Sequence, residues 1–170
     1  IGVRDPKKPR SLPAEIFTCD VESILDDPSI DVIAEVIGGL QPAGAYVEKA
    51  LRQGKHVVTA NKELIAREGS RLVHLAKQLQ LDLHYEAAVG GGIPLVQPLK
   101  HQLAGNDVIQ LIGILNGTTN YILTRMSLHN ATLEEALAEA QAQGYAEADP
   151  TNDVEGHDTA YKIAILGSIA

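Results

Sequence analysis

Residues Asp31 to Ala60 read DVIAEVIGGLQPAGAYVEKALRQGKHVVTA, and this stretch decides the fold. Asp31 to Ile37 is rich in the β-branched residues that suit a pleated, half-buried surface. Pro42 fits the first turn of a helix, Val47, Ala50 and Leu51 share one face of it, and Gly54 ends it. His56 to Ala60 then supplies a second apolar strand. Strand, helix and strand in that order imply a parallel pair, because parallel neighbours need a long crossover that a helix provides.

The alternation continues outward. Arg71 to Gln80 predicts a helix with Leu72, Leu75, Ala76 and Leu79 on one face, and Asp82 to Ala87 predicts a further strand. Upstream, Ile1 to Arg4 reads as the tail of a strand, and Asp20 caps a short helix through Ile24 and Leu25 that stops before Pro28. The first half is therefore a doubly wound α/β layer. Nucleotide-binding layers of this kind open with a strand, a G-x-G-x-x-G turn and a helix, and no G-x-G-x-x-G occurs in this sequence. Ile1 arrives without a methionine and already in strand-like sequence, so the expectation is a chain that starts at the second strand of such a layer.

From Gly90 the pattern changes. A glycine-rich loop precedes a predicted helix from Pro94 to Leu103, an alternating strand from Asp107 to Leu115 and a helix from Thr118 to Leu128. Thr132 and Glu135 form a capping box for a helix carrying Leu133, Ala136, Leu137 and Ala140, closed by Gly144. A second domain of α+β character thus begins near residue 88.

With 170 residues and one cysteine, Cys19, the chain can build a core and has no disulfide framework, which suits a reducing cytoplasm. The net charge is -8 and the fourteen basic residues are scattered, apart from the run Arg4 to Arg10, so a nucleic-acid partner is not expected. No apolar run approaches the roughly 18 residues of a membrane span, and no export signal is visible.

The chemistry is concentrated in Ala140 to Lys162, AQAQGYAEADPTNDVEGHDTAYK. Gly144, Pro150 and Gly156 fix the path of this loop while Glu147, Asp153, Asp158 and Lys162 supply charge. With Asp158 in the first turn of a final helix, Lys162 lies one turn later on the same face, and Ile163, Leu166 and Ile169 are expected to face the core. Two readings of the pair are open: an ordinary surface contact of about 0.3 to 0.5 kcal/mol, or a buried lysine tuned by its neighbours for proton transfer. Asp153 either orients this group or caps the final helix. Lys62 follows a strand at the carboxyl edge, where open α/β sheets place ligands, and Gly38 and Gly39 end the preceding strand at the same edge. Asn116 to Asn120 reads mainly as a helix cap.

Compressed, the charged segment is A-x3-G-Y-A-x2-D-P-x2-D-V-x-G-x-D-x3-K, and with Val36 to Gly39, Val58 to Lys62, Glu86 to Pro94 and Ile114 to Leu123 it resembles homoserine dehydrogenase along essentially the whole chain. The resemblance implies an α/β fold: an incomplete Rossmann-like parallel sheet in residues 1–87, then part of an α+β catalytic and dimerisation domain in 88–170, with the family continuing beyond the position of Ala170. It implies hydride transfer between NAD(P)H and the aldehyde carbon of aspartate 4-semialdehyde, giving L-homoserine on the route to threonine, methionine and isoleucine. Lys162 would then transfer the proton, with Lys62 its rival. Asp158 would position lysine and substrate, Glu147 would bind the substrate ammonium, and Asp153 would support them. Gly38, Gly39, Lys62 and Arg4 would contact the cofactor, Arg4 favouring NADP while Asp5 keeps NAD open. Glu86 with the carbonyls of Val89, Gly91 and Ile93 would hold a monovalent cation such as sodium. A homodimer or higher oligomer is the implied assembly. Two other readings are a truncated folding or dimerisation unit without turnover, and an acylating semialdehyde oxidoreductase. The last would need a cysteine nucleophile, and Cys19 is far from every motif.

Overall fold

The apolar period of residues 31–60 becomes β1 (Val32–Glu35), α2 (Ala43–Arg52) and β2 (His56–Thr59) in a computed structural model that describes residues 1–170. α1 (Val21–Asp26) precedes them, and α3 (Lys62–Gln78) and β3 (Leu83–His84) follow. The strands form one parallel sheet in the order β1-β2-β3, with Val32 opposite His56, Glu35 opposite Thr59 and Val57 opposite Leu83. Val47, Ala50 and Leu51 of α2 and Val57 of β2 are completely buried. Gly54 closes α2 at φ +79°, a left-handed conformation that glycine adopts without strain. Lys55 is buried as well and donates to the carbonyls of Asp27 and Ile30, which pins the turn leading into β1.

Three expectations are corrected in this half. The strand at Ile1 to Arg4 reduces to a single parallel bridge between Gly2 and Thr18. The helix expected from Arg71 begins at Lys62, because the Asn61 side chain accepts the Leu64 N–H at 3.0 Å and Leu64, Ile65, Leu72 and Ala76 form a longer buried stripe. Its polar stretch Arg67 to Ser70 hid that stripe, and Leu79, assigned to the core, sits past the helix end and is 41% exposed. β3 ends at His84 because Glu86–Ala88 turns into a 3-10 helix.

The chain divides into two compact units, Ile1–Leu64 with Glu68–Tyr85, and Ile65–Arg67 with Glu86–Ala170. In the second unit α4 (Gly117–His129) and α5 (Leu133–Ala142) pack through Ile122, Ala136, Ala140 and the following Ala146, with Tyr121, Met126 and Leu137 at the margin. Small alanines at a helix contact let the axes approach closely. The capping box is complete: Thr132 accepts the Glu135 N–H and Glu135 accepts the Thr132 N–H. α6 (Thr151–Val154) and α7 (His157–Ile169) close the chain.

The predicted helix Pro94 to Leu103 is largely a π-helical turn, Pro98–Gln102, in which Leu103 N–H reaches back to the Pro98 carbonyl at 3.0 Å. Pro98 has no N–H to give to an α-helical bond, so the regular ladder is interrupted there. The predicted strand Asp107 to Leu115 does not form, and the segment pairs with no strand, with Ile109 and Ile112 at 97% and 86% exposure. A strand needs a neighbour for its N–H and C=O groups, and sequence pattern alone cannot supply one. In α7 the buried residues are Ile165 and Leu166, whereas Ile163 is 39% exposed. Asp158, Lys162, Ile165, Leu166 and Ile169 follow the i, i+4, i+7, i+8, i+11 stripe, so the charged pair lies on the buried face rather than opposite it. No helix is long and apolar enough to cross a membrane.

Candidate active site

The segment before α4 delivers Leu115 and Asn116 to the start of that helix. Asn116 is in the extended conformation, and its Oδ1 accepts both the Thr119 N–H at 2.7 Å and the Thr119 hydroxyl at 2.8 Å. That is the cap expected from the sequence. Thr118 Oγ1 donates to the Tyr145 carbonyl at 2.7 Å, tying the turn at Gly144, φ +77°, to the same helix end. The Tyr121 and Tyr145 rings meet at 5.0 Å between centroids.

Asp158 enters this corner from the first turn of α7 and is 3% exposed. Lys162 Nζ lies 2.6 Å from its Oδ2 and 2.7 Å from the Leu115 carbonyl oxygen. The burial excludes a solvated surface pair. An ion pair withdrawn from water needs close geometry and further hydrogen bonds, and both are present. Lys162 commits two of its three N–H donors in these contacts and has its third for a ligand.

Asp153, on α6, accepts from Asn116 Nδ2 at 2.6 Å. It does not cap α7, whose preceding residue is Gly156 at φ +80° with no side-chain cap bond, so the capping alternative is overturned. Asn116, Thr118, Tyr145, Asp153, Asp158 and Lys162 are among the walls of a cavity of about 620 Å³. Glu147 is exposed, its carbonyl is held by Gln141, and it is not among those walls. The structure thus brings Asp153, Asp158 and Lys162 together and leaves Glu147 outside.

A second group lies at the carboxyl edge of the sheet. Gly38 and Gly39 have φ +83° and +70°, and the space a Cβ would occupy is empty at both. Lys62 is the first residue of α3, directly after its Asn61 cap. The turn is held by Glu35, which sequence reasoning passed over, together with Thr59 and Asn61 of the motif before Lys62. Glu35 is 4% exposed; its Oε1 accepts the Ile37 and Gly38 N–H groups and its Oε2 accepts the Thr59 hydroxyl at 2.6 Å. Thr59 in turn accepts the Asn61 N–H, and Asn61 Nδ2 donates to the Gly39 carbonyl at 2.7 Å. The available signal was the strand period, which puts Glu35 on the inward face with Ile33 and so demands buried partners. Arg4 is exposed, beside an Asp5 whose carboxylate accepts the Lys7 N–H.

Glu86 gathers the third group. Its Oε1 accepts the Leu95 and Val96 N–H groups at 2.6 and 2.9 Å, and its Oε2 accepts the Gln97 N–H at 2.8 Å. Burial by itself would raise this carboxyl, but the three N–H bonds outweigh it and hold the group below the usual glutamate value. Between Glu86 and Leu95 the loop carrying Val89, Gly91 and Ile93 turns through Gly90 at φ +80°, where a Cβ would stand 2.8 Å from Leu95 Cδ1.

A parallel α/β layer with an open glycine turn at its carboxyl edge, continued by a unit holding a buried acid–amine pair, is a Rossmann-like arrangement. Residues 1–86 match the family model described as homoserine dehydrogenase, NAD binding domain, and residues 94–170 match that described as homoserine dehydrogenase. A homoserine dehydrogenase of Synechocystis is 51% identical over 171 residues, covering 99% of this chain and 40% of that protein. One from Bacillus subtilis is 48% identical over 98% of this chain and 39% of its own length. Among solved structures, the homoserine dehydrogenase of Thiobacillus denitrificans has a TM-score of 0.86 at 46% identity, covering 89% of this chain and 35% of that one. A hyperthermophilic archaeal homoserine dehydrogenase in complex with NADPH has a TM-score of 0.77 at 33% identity, covering 82% and 43%. The chain belongs to the homoserine dehydrogenase family. It spans about 40% of the length of the curated relatives it matches.

Proposed function

We propose that the chain carries the reactive core of a cytoplasmic NAD(P)-dependent homoserine dehydrogenase, interconverting L-homoserine and L-aspartate 4-semialdehyde in the biosynthesis of threonine, methionine and isoleucine. The observation that carries this reading is the buried Asp158–Lys162 pair, 2.6 Å apart, in the wall of the cavity. A bound nicotinamide cofactor supplies a hydride to the aldehyde carbon in reduction and accepts it in oxidation. Lys162 gives its remaining N–H to the carbonyl oxygen and protonates the alkoxide as it forms, and in the reverse direction it takes the hydroxyl proton. Asp158 orients the lysine and accepts from the substrate, and Asp153 supports both; Glu147 lies outside the cavity wall, and only the family resemblance assigns it to the substrate ammonium.

Residues 1–87 serve the cofactor and 88–170 the substrate. The open space over Gly38 and Gly39 suits a dinucleotide backbone, Lys62 adds positive charge at the same sheet edge, and Arg4 favours the additional phosphate of NADP over NAD. The archaeal relative with NADPH supports that choice. Glu86 is a hard oxygen donor held ionised by three N–H bonds, so with the carbonyls of Val89, Gly91 and Ile93 it fits a monovalent cation such as sodium. The test is homoserine-dependent reduction of NADP and, separately, of NAD by this chain, with aspartate semialdehyde as the reverse substrate. Turnover with homoserine supports the assignment; cofactor reduction that does not depend on homoserine contradicts it.

A second reading is favoured by one observation, the exposed isoleucines 109, 112 and 114 on a segment that pairs with no strand. In it the chain is a folding or homodimerisation unit without turnover, and it would show concentration-dependent mass with no cofactor binding.

A further inference from the structure

Asn116 has a second task beyond its helix cap. Its side-chain oxygen is committed to the Thr119 N–H and hydroxyl, so the amide nitrogen must face the other way. There it donates to two carboxylates from two different helices, Asp153 Oδ1 of α6 at 2.6 Å and Asp158 Oδ2 of α7 at 2.9 Å. The Asp158 oxygen it meets is the one that accepts from Lys162. Asn116 is 6% exposed and Asp158 3% exposed, so both groups depend on protein partners for most of their hydrogen bonds.

We propose that Asn116 is a positioning residue that clamps Asp153 and Asp158 side by side with its two amide N–H groups and thereby fixes the Asp158 oxygen that holds Lys162. Two acids brought together repel unless donors lie between them, and the amide supplies two. The adjoining Leu115 carbonyl takes a second N–H of the lysine, so consecutive residues of one segment set both the acid and the amine. Aspartate keeps the acceptor for the cap but has no donors, and serine keeps the cap with one O–H.

That difference separates clamp from cap. In Asn116→Asp the cap survives while a third carboxylate replaces the two N–H donors. The experiment follows the carboxyl carbons of Asp153 and Asp158 by NMR across pH in the chain, in Asn116→Asp and in Asn116→Ser, with amide signals of α4 reporting that the helix remains. The Asp158 carboxyl in Asn116→Asp is expected to titrate at higher pH than in the unaltered chain, because a third carboxylate replaces its N–H donor, with a smaller displacement in Asn116→Ser. Unchanged titration in a variant whose α4 is intact overturns the proposal, and Asn116→Ser decides if Asn116→Asp does not fold.

The functional part rests on the assignment of proton transfer to Lys162. Where the chain turns over, loss of the clamp should lower kcat far more than it raises KM. Displaced titration without any turnover would contradict the functional assignment and leave the clamp standing. Turnover with unchanged titration would do the reverse.

Discussion

The two units of this chain differ in how their apolar cores are built. In the first, Val47, Ala50, Leu51, Val57, Leu64 and Leu72 are completely buried and apolar, and their removal from water drives the folding of the sheet and its helices. In the second, the helix-packing cluster of Ile122, Ala136, Ala140 and Ala146 is small and rich in alanine; each unit also buries polar groups, Glu35, Thr59 and Asn61 in the first and Asn116, Thr118 and Asp158 in the second. Apolar packing tolerates many sequences of similar volume. A buried polar network works only when every member finds its partner. The signature residues of both units gather in such networks, Glu35 to Lys62 in the first and Asn116 to Lys162 in the second, while the apolar cores carry only a pattern.

The largest expected effect tests the apolar side of this contrast. Leu51→Ala should destabilise the first unit by about 4 kcal/mol, since the site is fully buried and a cavity remains. Denaturant unfolding should show the loss with little dependence on salt. Asp158→Ala tests the polar side: Lys162 is left without its carboxylate, at a cost of about 3 kcal/mol. The value falls at the low end of that range because the lysine side chain, 18% exposed, can still reach water. If Asp158→Ala proves neutral in unfolding measurements, the polar account of the second unit is wrong.

Glu86 sharpens the comparison through pH. Its folded-state value is depressed, so its stabilisation is complete above the ordinary glutamate value and is lost as pH falls through the lower folded value. Glu86→Gln should cost about 2 kcal/mol at neutral pH, and the gap between the two proteins should close on acidification. A constant gap between the melting curves would show that the N–H bonds to this carboxylate are not its source. Smallest is Thr132→Ala, which removes one capping bond for about 1 kcal/mol and should lower the thermal midpoint only slightly.

The same contrast governs what was legible. β1, α2 and β2 could be read because a strand–helix–strand period with proline and glycine at the boundaries is a local signal. The Thr132–Glu135 box was legible for the same reason. Asp107 to Leu115 was not, because pairing is a property of the neighbours and not of the strand. On α7 the polar residues Asp158 and Lys162 concealed the buried stripe they belong to, and Ile163 was put in the core in place of Ile165. Glu35 went unseen because a single acid in an apolar strand gives no motif, although its inward register required partners. The membership of Asp153, Asp158 and Lys162 in one cluster came from the family resemblance, whereas the role of Asn116 emerged only from its geometry.

The proposed function gives the proton transfer to Lys162 and not to Lys62. The most direct measurement is kcat for homoserine oxidation in Lys162→Ala and Lys62→Ala beside the unaltered chain, with added primary amine as a rescue. Lys162→Ala is expected to lose about 10² to 10⁴ in kcat and to recover part of it with the amine, while Lys62→Ala mainly raises KM for the cofactor. Retained kcat in Lys162→Ala, with the loss and the amine rescue appearing in Lys62→Ala, would contradict that assignment.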